Sequence, residues 1–248
     1  MISKTKIKFD FATIASHQLR TPLSAMKWFL EMLLEGNAGR LTRRQQDFVT
    51  EIYKSNERMI RLVNDLLLVS KIANGQLKLV CRQFIMEKTI GAVVRELTPL
   101  TNAASITVVR KFDEHAATQV FGDEDKIRQV LRTLLDNAIR YMVDGGIIII
   151  YCEREHGKLR FEIQDSGVGI PVREKSKIFQ QFFRGSNIVR MRTEGTGLGL
   201  YIAKAIIQAS GGKISFESTE GKGSKFIVML PLHCGIVRNA KVKNQKSK

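Results

Sequence analysis

Between residues 11 and 34 apolar side chains return every three or four positions. Phe11, Ala15, Pro22, Met26, Phe29 and Leu33 form one line, and Ile14, Leu19, Leu23, Leu30 and Leu34 another. That spacing is the period of an α-helix. Thr13, His17, Arg20, Ser24, Lys27 and Glu31 fall on its polar face. Gly36-Asn37-Ala38-Gly39 breaks the pattern, and Thr42 with Gln45 has the form of a capping box for a second helix. That helix carries Phe48, Ile52, Ser55, Met59, Leu62, Leu66 and Val69 on one line, with Val49, Tyr53, Ile60, Val63 and Leu67 on another. It stops at Asn74-Gly75. Both helices are apolar over a wide arc. One hairpin cannot cover that much apolar surface, whereas two hairpins packed as a four-helix bundle can, so the pattern predicts a homodimer.

Beyond residue 75 the period changes. Residues 77–85 and 106–112 read as strands around a helix at 87–102, and residues 123–142 as a helix capped by Asp123. Residues 146–154 and 158–165 form two strands around His156-Gly157. A helix follows at 198–210, then strands at 213–218 and 224–230. Turns of hairpin length make most of the pairing antiparallel. The prediction is an α+β protein in four parts: a basic lead (1–9), a dimerising helical hairpin (10–74), an α/β sandwich (75–232) and a basic tail (233–248).

Composition narrows this picture. Hydrophobic residues at 44% and charged residues at 26% suit a soluble globular chain of one large or two modest domains. No apolar run approaches the ~18 residues needed to span a bilayer, and no apolar stretch follows the basic N-terminus as a signal peptide requires. Cys81, Cys152 and Cys234 are widely spaced, odd in number and without metal-ligand spacing, for which a reducing compartment is the simplest reading. Half of the net charge of +16 lies at the ends, on Lys4, Lys6 and Lys8 and on Arg238, Lys241, Lys243, Lys246 and Lys248. Solvated tails account for such runs, and with no recognisable motif a nucleic-acid partner is not expected.

Three groups of residues carry chemistry. His17 lies on the polar face of the first helix, and an imidazole is largely neutral and nucleophilic near pH 7. Pro22, five residues on, removes a helical hydrogen bond beside it. Asp165-Ser166-Gly167-Val168-Gly169-Ile170 leaves a strand, where glycines let the backbone pass beneath a flat base and a carboxylate can accept from an exocyclic amine. Gly195-Thr196-Gly197-Leu198-Gly199-Leu200 opens a helix whose N–H groups suit phosphate, although the Walker A ending is absent. On the helix Leu134-Leu135-Asp136-Asn137-Ala138-Ile139-Arg140-Tyr141, Asn137 and Arg140 share a face; an amide oxygen can ligate Mg²⁺ and a guanidinium can contact phosphate.

His17-Gln18-Leu19-Arg20-Thr21-Pro22 resembles the phosphoacceptor box of histidine kinases, His-Glu/Asp-Leu-Arg-Thr-Pro. The three later stretches resemble, in order, the ATP-binding boxes of the histidine kinase branch of the Bergerat-fold ATPases, and Ile178-Phe179-Gln180-Gln181-Phe182-Phe183-Arg184 resembles their phenylalanine box. The resemblance implies that Asp165 reads adenine, that Asn137 is the magnesium ligand, and that Arg140, Tyr141, Phe182 and Arg184 belong to the nucleotide site. It implies that Thr21 orients water for dephosphorylating the partner, and that residues 185–194 form a mobile lid. Two positions depart. Gln18 replaces the acidic residue that acts as base, and an amide cannot take a proton near neutral pH. Thr133 stands where the first asparagine of the asparagine box is expected.

The implied function is autophosphorylation of His17 by ATP and Mg²⁺, followed by transfer to an aspartate of a response-regulator receiver domain. An upstream sensor, in this chain's longer form or in another protein, would supply the input, and the chain would be cytoplasmic, including as the cytoplasmic part of a membrane-associated sensor. The rival readings are a phosphatase-biased or weak kinase, motivated by Gln18 and Thr133, and an ATP-binding dimeric scaffold. The phenylalanines of residues 178–184 also read simply as core on an amphipathic turn.

Overall fold

A computed structural model describes residues 4–113, 117–185 and 195–233, with side chains from residue 18 onward. Two compact units result, Met1–Leu77 and Lys78–Lys248.

The first unit is a helical hairpin of α1 (Lys4–Leu34) and α2 (Arg43–Ala73). Helix α1 starts seven residues before the apolar pattern does, because the lysines of the basic lead are good helix formers that leave no apolar period. It runs on through Pro22. The capping box forms as expected: Thr42 Oγ1 accepts from the Gln45 amide at 3.4 Å, and Gln45 Oε1 accepts from the Thr42 amide at 2.9 Å. Asn74 caps the C-terminus and Gly75 follows in the left-handed region, at φ +66°. Leu23 and Leu30 of α1 and Val63 and Leu67 of α2 are buried. A polar flank joins the helices: Lys27 pairs with Glu57 at 2.9 Å, Tyr53 donates to Glu31 at 3.1 Å, and Arg20 donates to Asn64 at 2.8 Å.

The second unit runs β1 (Arg82–Ile85), α3 (Met86–Ala103), β2 (Ile106–Lys111), β3 (Gln119–Gly122), α4 (Glu124–Arg140), β4 (Gly146–Glu155), β5 (Lys158–Asp165), a 3₁₀ turn (Val172–Glu174), α5 (Gly199–Ala209), β6 (Lys213–Thr219) and β7 (Gly223–Pro231). Five strands form one sheet in the order β2-β4-β5-β7-β6; β2 and β4 are parallel and the other pairs antiparallel. The strand expected at 77–85 is confined to Arg82–Ile85. It pairs with β3, which is four residues long and too short to show alternation. Asp123 caps α4 as expected, its carboxylate accepting from the Lys126 amide at 3.0 Å.

Alternation along the strands builds the core. Ile148 and Ile150 of β4, Leu159, Phe161 and Ile163 of β5, and Phe226, Val228 and Leu230 of β7 are buried together, with Ile127, Leu131 and Leu134 of α4 and Ile202 and Ile206 of α5. The run of four isoleucines is thus read alternately: Ile148 is 0% exposed and Ile147 48%. Each fully buried aliphatic side chain contributes about 1.5–3 kcal/mol. The opposite sheet face carries ion pairs, with Arg160 beside Glu153, Glu155 and Glu162 and with Lys225 paired to Glu217 at 2.8 Å.

Candidate functional site

The C-terminus of α4, the exit of β5, the N-terminus of α5 and the inner face of β7 surround a cleft in the second unit. Asn137 and Tyr141 come from α4, Asp165, Gly169, Ile170 and Pro171 from the loop after β5, and Leu200 from α5. Ser224 and Phe226 come from β7, and Glu174, Ile178, Phe183, Arg184 and Gly185 close the wall.

Asp165 is the charged anchor. It is 7% exposed, and its Oδ1 accepts from the amides of Gly167 at 2.9 Å and Ser224 at 3.2 Å. Burial pushes its carboxyl up to about 6, against the opposing pull of those two amides. The loop after it is packed too closely for side chains. A Cβ on Gly167 would lie 2.5 Å from the Tyr141 carbonyl, which also accepts from the Val168 amide at 3.0 Å. A Cβ on Gly169, at φ +64°, would lie 2.1 Å from the Thr219 carbonyl. The loop is held from below by the β6–β7 turn: Gly221 donates to Val168 O at 2.8 Å, and Ser218 Oγ accepts from the Ile170 amide at 2.9 Å and contacts Ser224 Oγ at 3.0 Å.

The second glycine stretch lies across the cleft. Gly195 approaches Arg140, whose Nη1 would be 2.6 Å from a Cβ there. Thr196 Oγ1 accepts from the Leu198 amide at 3.2 Å. Helix α5 begins at Gly199 without a side-chain cap, leaving N-terminal amides directed outward. Thr133 packs on this start, its Cγ2 3.0 Å from where a Gly199 Cβ would stand. Burial raises the Tyr141 phenol above its ordinary value, and the nearby Arg140 and Arg184 guanidiniums oppose that shift.

Of the residues expected around a nucleotide, Asn137, Tyr141, Asp165, Gly169, Ile170, Arg184 and Leu200 line one cleft. Arg140, Gly167, Gly195, Thr196, Gly197 and Gly199 build its supports. Leu198 is fully buried. Phe182 is 59% exposed at φ +61°, and its backbone stands 2.7 Å from where a Gly197 Cβ would be. Its neighbour Phe183 lines the cleft. The lid expected at 185–194 lies outside the described residues except for Gly185. Ser218, Ser224, Glu174 and Phe226 were missed. Serines and an acid in a turn or strand carry no distinctive spacing, and only the β6–β7 hairpin downstream of the glycine loop could have pointed to them.

In the first unit His17 lies within α1, one turn before Pro22, and its side chain is outside the described residues. Gln18, Arg20 and Thr21 are exposed. Arg20 is engaged by Asn64 of α2, a partner that the sequence pattern did not suggest.

Residues 7–75 match the His Kinase A (phospho-acceptor) domain family, and residues 122–233 match the histidine kinase-, DNA gyrase B- and HSP90-like ATPase family. The chain is 33% identical over 225 residues to the circadian input-output histidine kinase CikA of Synechococcus elongatus, covering 90% of this chain and 30% of that protein. It is 35% identical over 225 residues to the sensor histidine kinase WalK of Bacillus subtilis, covering 90% and 36%. The chain therefore spans about a third of these relatives' length. Among solved structures, the catalytic domain of histidine kinase ThkA is 33% identical with a TM-score of 0.55, covering 62% of this chain and 97% of that one. Full-length ShkA, solved with AMPPNP, has a TM-score of 0.72 at 24% identity, covering 90% of this chain and 45% of that one, and supports the fold. These relatives are described as kinases and do not favour the phosphatase-biased alternative. With a match to the phospho-acceptor domain family followed by one to the ATPase family, and with a histidine kinase catalytic domain covered over nearly its whole length, the chain belongs to the histidine kinases.

Proposed function

We propose that this chain is the kinase core of a two-component sensor, moving the terminal phosphoryl group of ATP to His17 and then to an aspartate of a response-regulator receiver domain. The observation that carries the proposal is the buried, amide-held carboxylate of Asp165 at the floor of a glycine-walled cleft, in the same chain as a His-Gln-Leu-Arg-Thr-Pro helix.

In this reading Asp165 accepts a hydrogen bond from the exocyclic amine of adenine, and Gly167, Gly169 and Ile170 let the base settle on the backbone. Ile178, Phe226 and Tyr141 supply apolar contact. Arg140, Arg184 and the amides of residues 195–200 hold the phosphates. Asn137 fits a magnesium ligand because its side chain lines the cleft one turn after Thr133, a hydroxyl in place of a second amide. Bound Mg²⁺ would neutralise charge on the transferring phosphate.

An imidazole nitrogen of His17 forms the new N–P bond as the bond between the β–γ bridging oxygen and the terminal phosphorus breaks, releasing ADP. The proton leaving the imidazole passes to solvent, since Gln18 accepts hydrogen bonds but not a proton at neutral pH. Residues 10–74 serve as the dimerising phosphotransfer domain and residues 75–232 as the ATP-binding domain. Met26, Phe29, Phe48 and Ile52, each at least 40% exposed, form the surface that a second copy covers. Among the described residues no helix is long and apolar enough to cross a membrane. In this reading the core works in the cytoplasm and an upstream sensor supplies the input.

Incubation with γ-labelled ATP and Mg²⁺ tests the proposal. The label becomes covalent, acid-labile and base-stable, and His17→Ala abolishes it. Equal labelling of His17→Ala and the parent would refute the reading.

A further inference from the structure

The second apolar line of α2 has a gap. Tyr53 is followed by Ile60, and the intervening position at helical spacing is Asn56. The structure places Asn56 in the hairpin core at 0% exposure, in line with buried Val63 and Leu67. Its Nδ2 donates across the hairpin to the backbone carbonyl of Leu23 at 3.0 Å. Its Oδ1 is buried with no hydrogen-bond partner among the described residues. A buried amide with one unmet acceptor is a poor choice for stability alone, since an apolar residue of the same shape carries no such cost.

The acceptor's location explains the choice. Leu23 follows Pro22, which has no N–H, so α1 lacks the hydrogen bond that would close on the Gln18 carbonyl. This is the turn of α1 least able to hold its own geometry, and His17 immediately precedes it. Asn56 grips the turn on its C-terminal side. On its N-terminal side Arg20 donates to Asn64 Oδ1 at 2.8 Å. Two asparagines of α2 thus bracket Thr21 and Pro22. Lone buried asparagines are a known means of fixing the register of packed helices at some expense in stability.

We infer that Asn56 is a positioning residue that pins the proline turn of α1 to α2, and so sets where His17 presents its imidazole for phosphoryl transfer. The inference rests on the proposed role of His17 as phosphoacceptor. Asn56 touches no reacting atom; it acts through the Leu23 carbonyl.

The test uses the full chain and Asn56→Leu, which removes donor and unmet acceptor together at nearly constant volume. Two readouts separate positioning from simple support. By amide hydrogen exchange, residues 18–23 exchange faster in Asn56→Leu while the core amides of α2 remain as protected as in the parent. By kinetics, the autophosphorylation rate at saturating ATP falls about tenfold with KM for ATP unchanged. In a Pro22→Ala background, where α1 regains its own hydrogen bond, Asn56→Leu has little further effect, because pin and proline act on one turn. Asn56→Ser, too short to reach Leu23, gives the same pattern and serves should the leucine variant fold poorly.

Unchanged exchange at residues 18–23, an unchanged rate in a folded variant, loss of protection throughout the hairpin, or equal effects with and without Pro22 would each overturn the inference. The exchange experiment needs no activity. A parent that takes no label would sink the kinase reading and leave the pin itself measurable.

Discussion

The Ser224 amide donates to Asp165 Oδ1 at 3.2 Å, joining the exit of β5 to the start of β7 across 59 residues of chain. Asp165 is therefore held from both sides of the cleft floor, by the Gly167 amide from its own loop and the Ser224 amide from the next strand. A buried carboxylate so placed must choose between the ligand's needs and its own desolvation. The first prediction follows. Burial lifts the Asp165 carboxyl from an ordinary value of 3.8 to about 6. Adenine's amine requires the ionised form, so nucleotide affinity is full above pH 7 and falls about tenfold for each pH unit below 6. Fluorescent ADP titrations between pH 5 and 8 measure this, and an affinity flat over that range would contradict it.

Stability runs the other way. The unfolded chain loses this proton near pH 3.8 and the folded chain near 6, so the folded state binds more protons between those values and its stability falls as pH rises through them. At pH 7 the ionised Asp165 works against the fold by on the order of 3 kcal/mol. Asp165→Asn is therefore expected to raise the thermal midpoint at pH 7 while abolishing nucleotide binding. Calorimetry of the two proteins checks it, with their midpoints converging near pH 4.

Glycine substitutions separate backbone conformation from crowding. Gly36, in the hairpin turn at φ +80°, has nothing within 4 Å of a Cβ, whereas Gly169 at φ +64° would place its Cβ 2.1 Å from the Thr219 carbonyl. Gly36→Ala is expected to cost about 1 kcal/mol, the left-handed penalty alone. Gly169→Ala must in addition push the β6–β7 turn away, so nucleotide affinity falls at least about tenfold. Equal behaviour of the two variants would show that the adenine loop is not held by that turn.

The hairpin, its caps, most of the strands and the glycine loops were legible because each has a local cause: an apolar period, a Thr-Gln box, a turn residue at positive φ. What the sequence withheld depends on distant neighbours. Strand β3 exists because β1 lies beside it. Ser218 matters because the loop at Ile170 needs an acceptor 48 residues away. Phe182 reads as core by its chemistry, yet it is 59% exposed, with a left-handed backbone close to Gly197. Asn56 showed in the sequence only as a gap in a stripe.

The hairpin's exposed aromatics make a prediction about assembly. Met26 and Phe29 are three residues apart on one face, and Trp28 is turned about 100° from Phe29. Phe29 is 59% exposed and Trp28 56%, so burial in the single chain does not distinguish them. Position does: Phe29 is on the apolar line shared with Met26 and Leu33, and Trp28 is off it. Phe29→Glu is expected to convert the dimer to monomer in sedimentation velocity, and Trp28→Glu to leave it dimeric. A monomeric Trp28→Glu would move the interface onto the polar face of α1.

Gln18 carries the last prediction. It is exposed on α1 directly after His17, so nothing in the hairpin obliges an amide there, and replacement by glutamate costs little in packing. An amide supplies a hydrogen-bond acceptor but no base near neutral pH, whereas a carboxylate supplies both. If proton removal from the imidazole limits the reaction, Gln18→Glu raises the autophosphorylation rate by about tenfold to a hundredfold, within the usual range of general-base catalysis. The gain should depend on pH, vanishing as the new carboxylate is protonated below about pH 4, and KM for ATP should stay unchanged because position 18 lies outside the cleft lining. A rate that does not rise, measured at saturating ATP, would place the limiting step elsewhere. Thr133, whose methyl packs against the start of α5 where an asparagine is expected, is then the departure to substitute next.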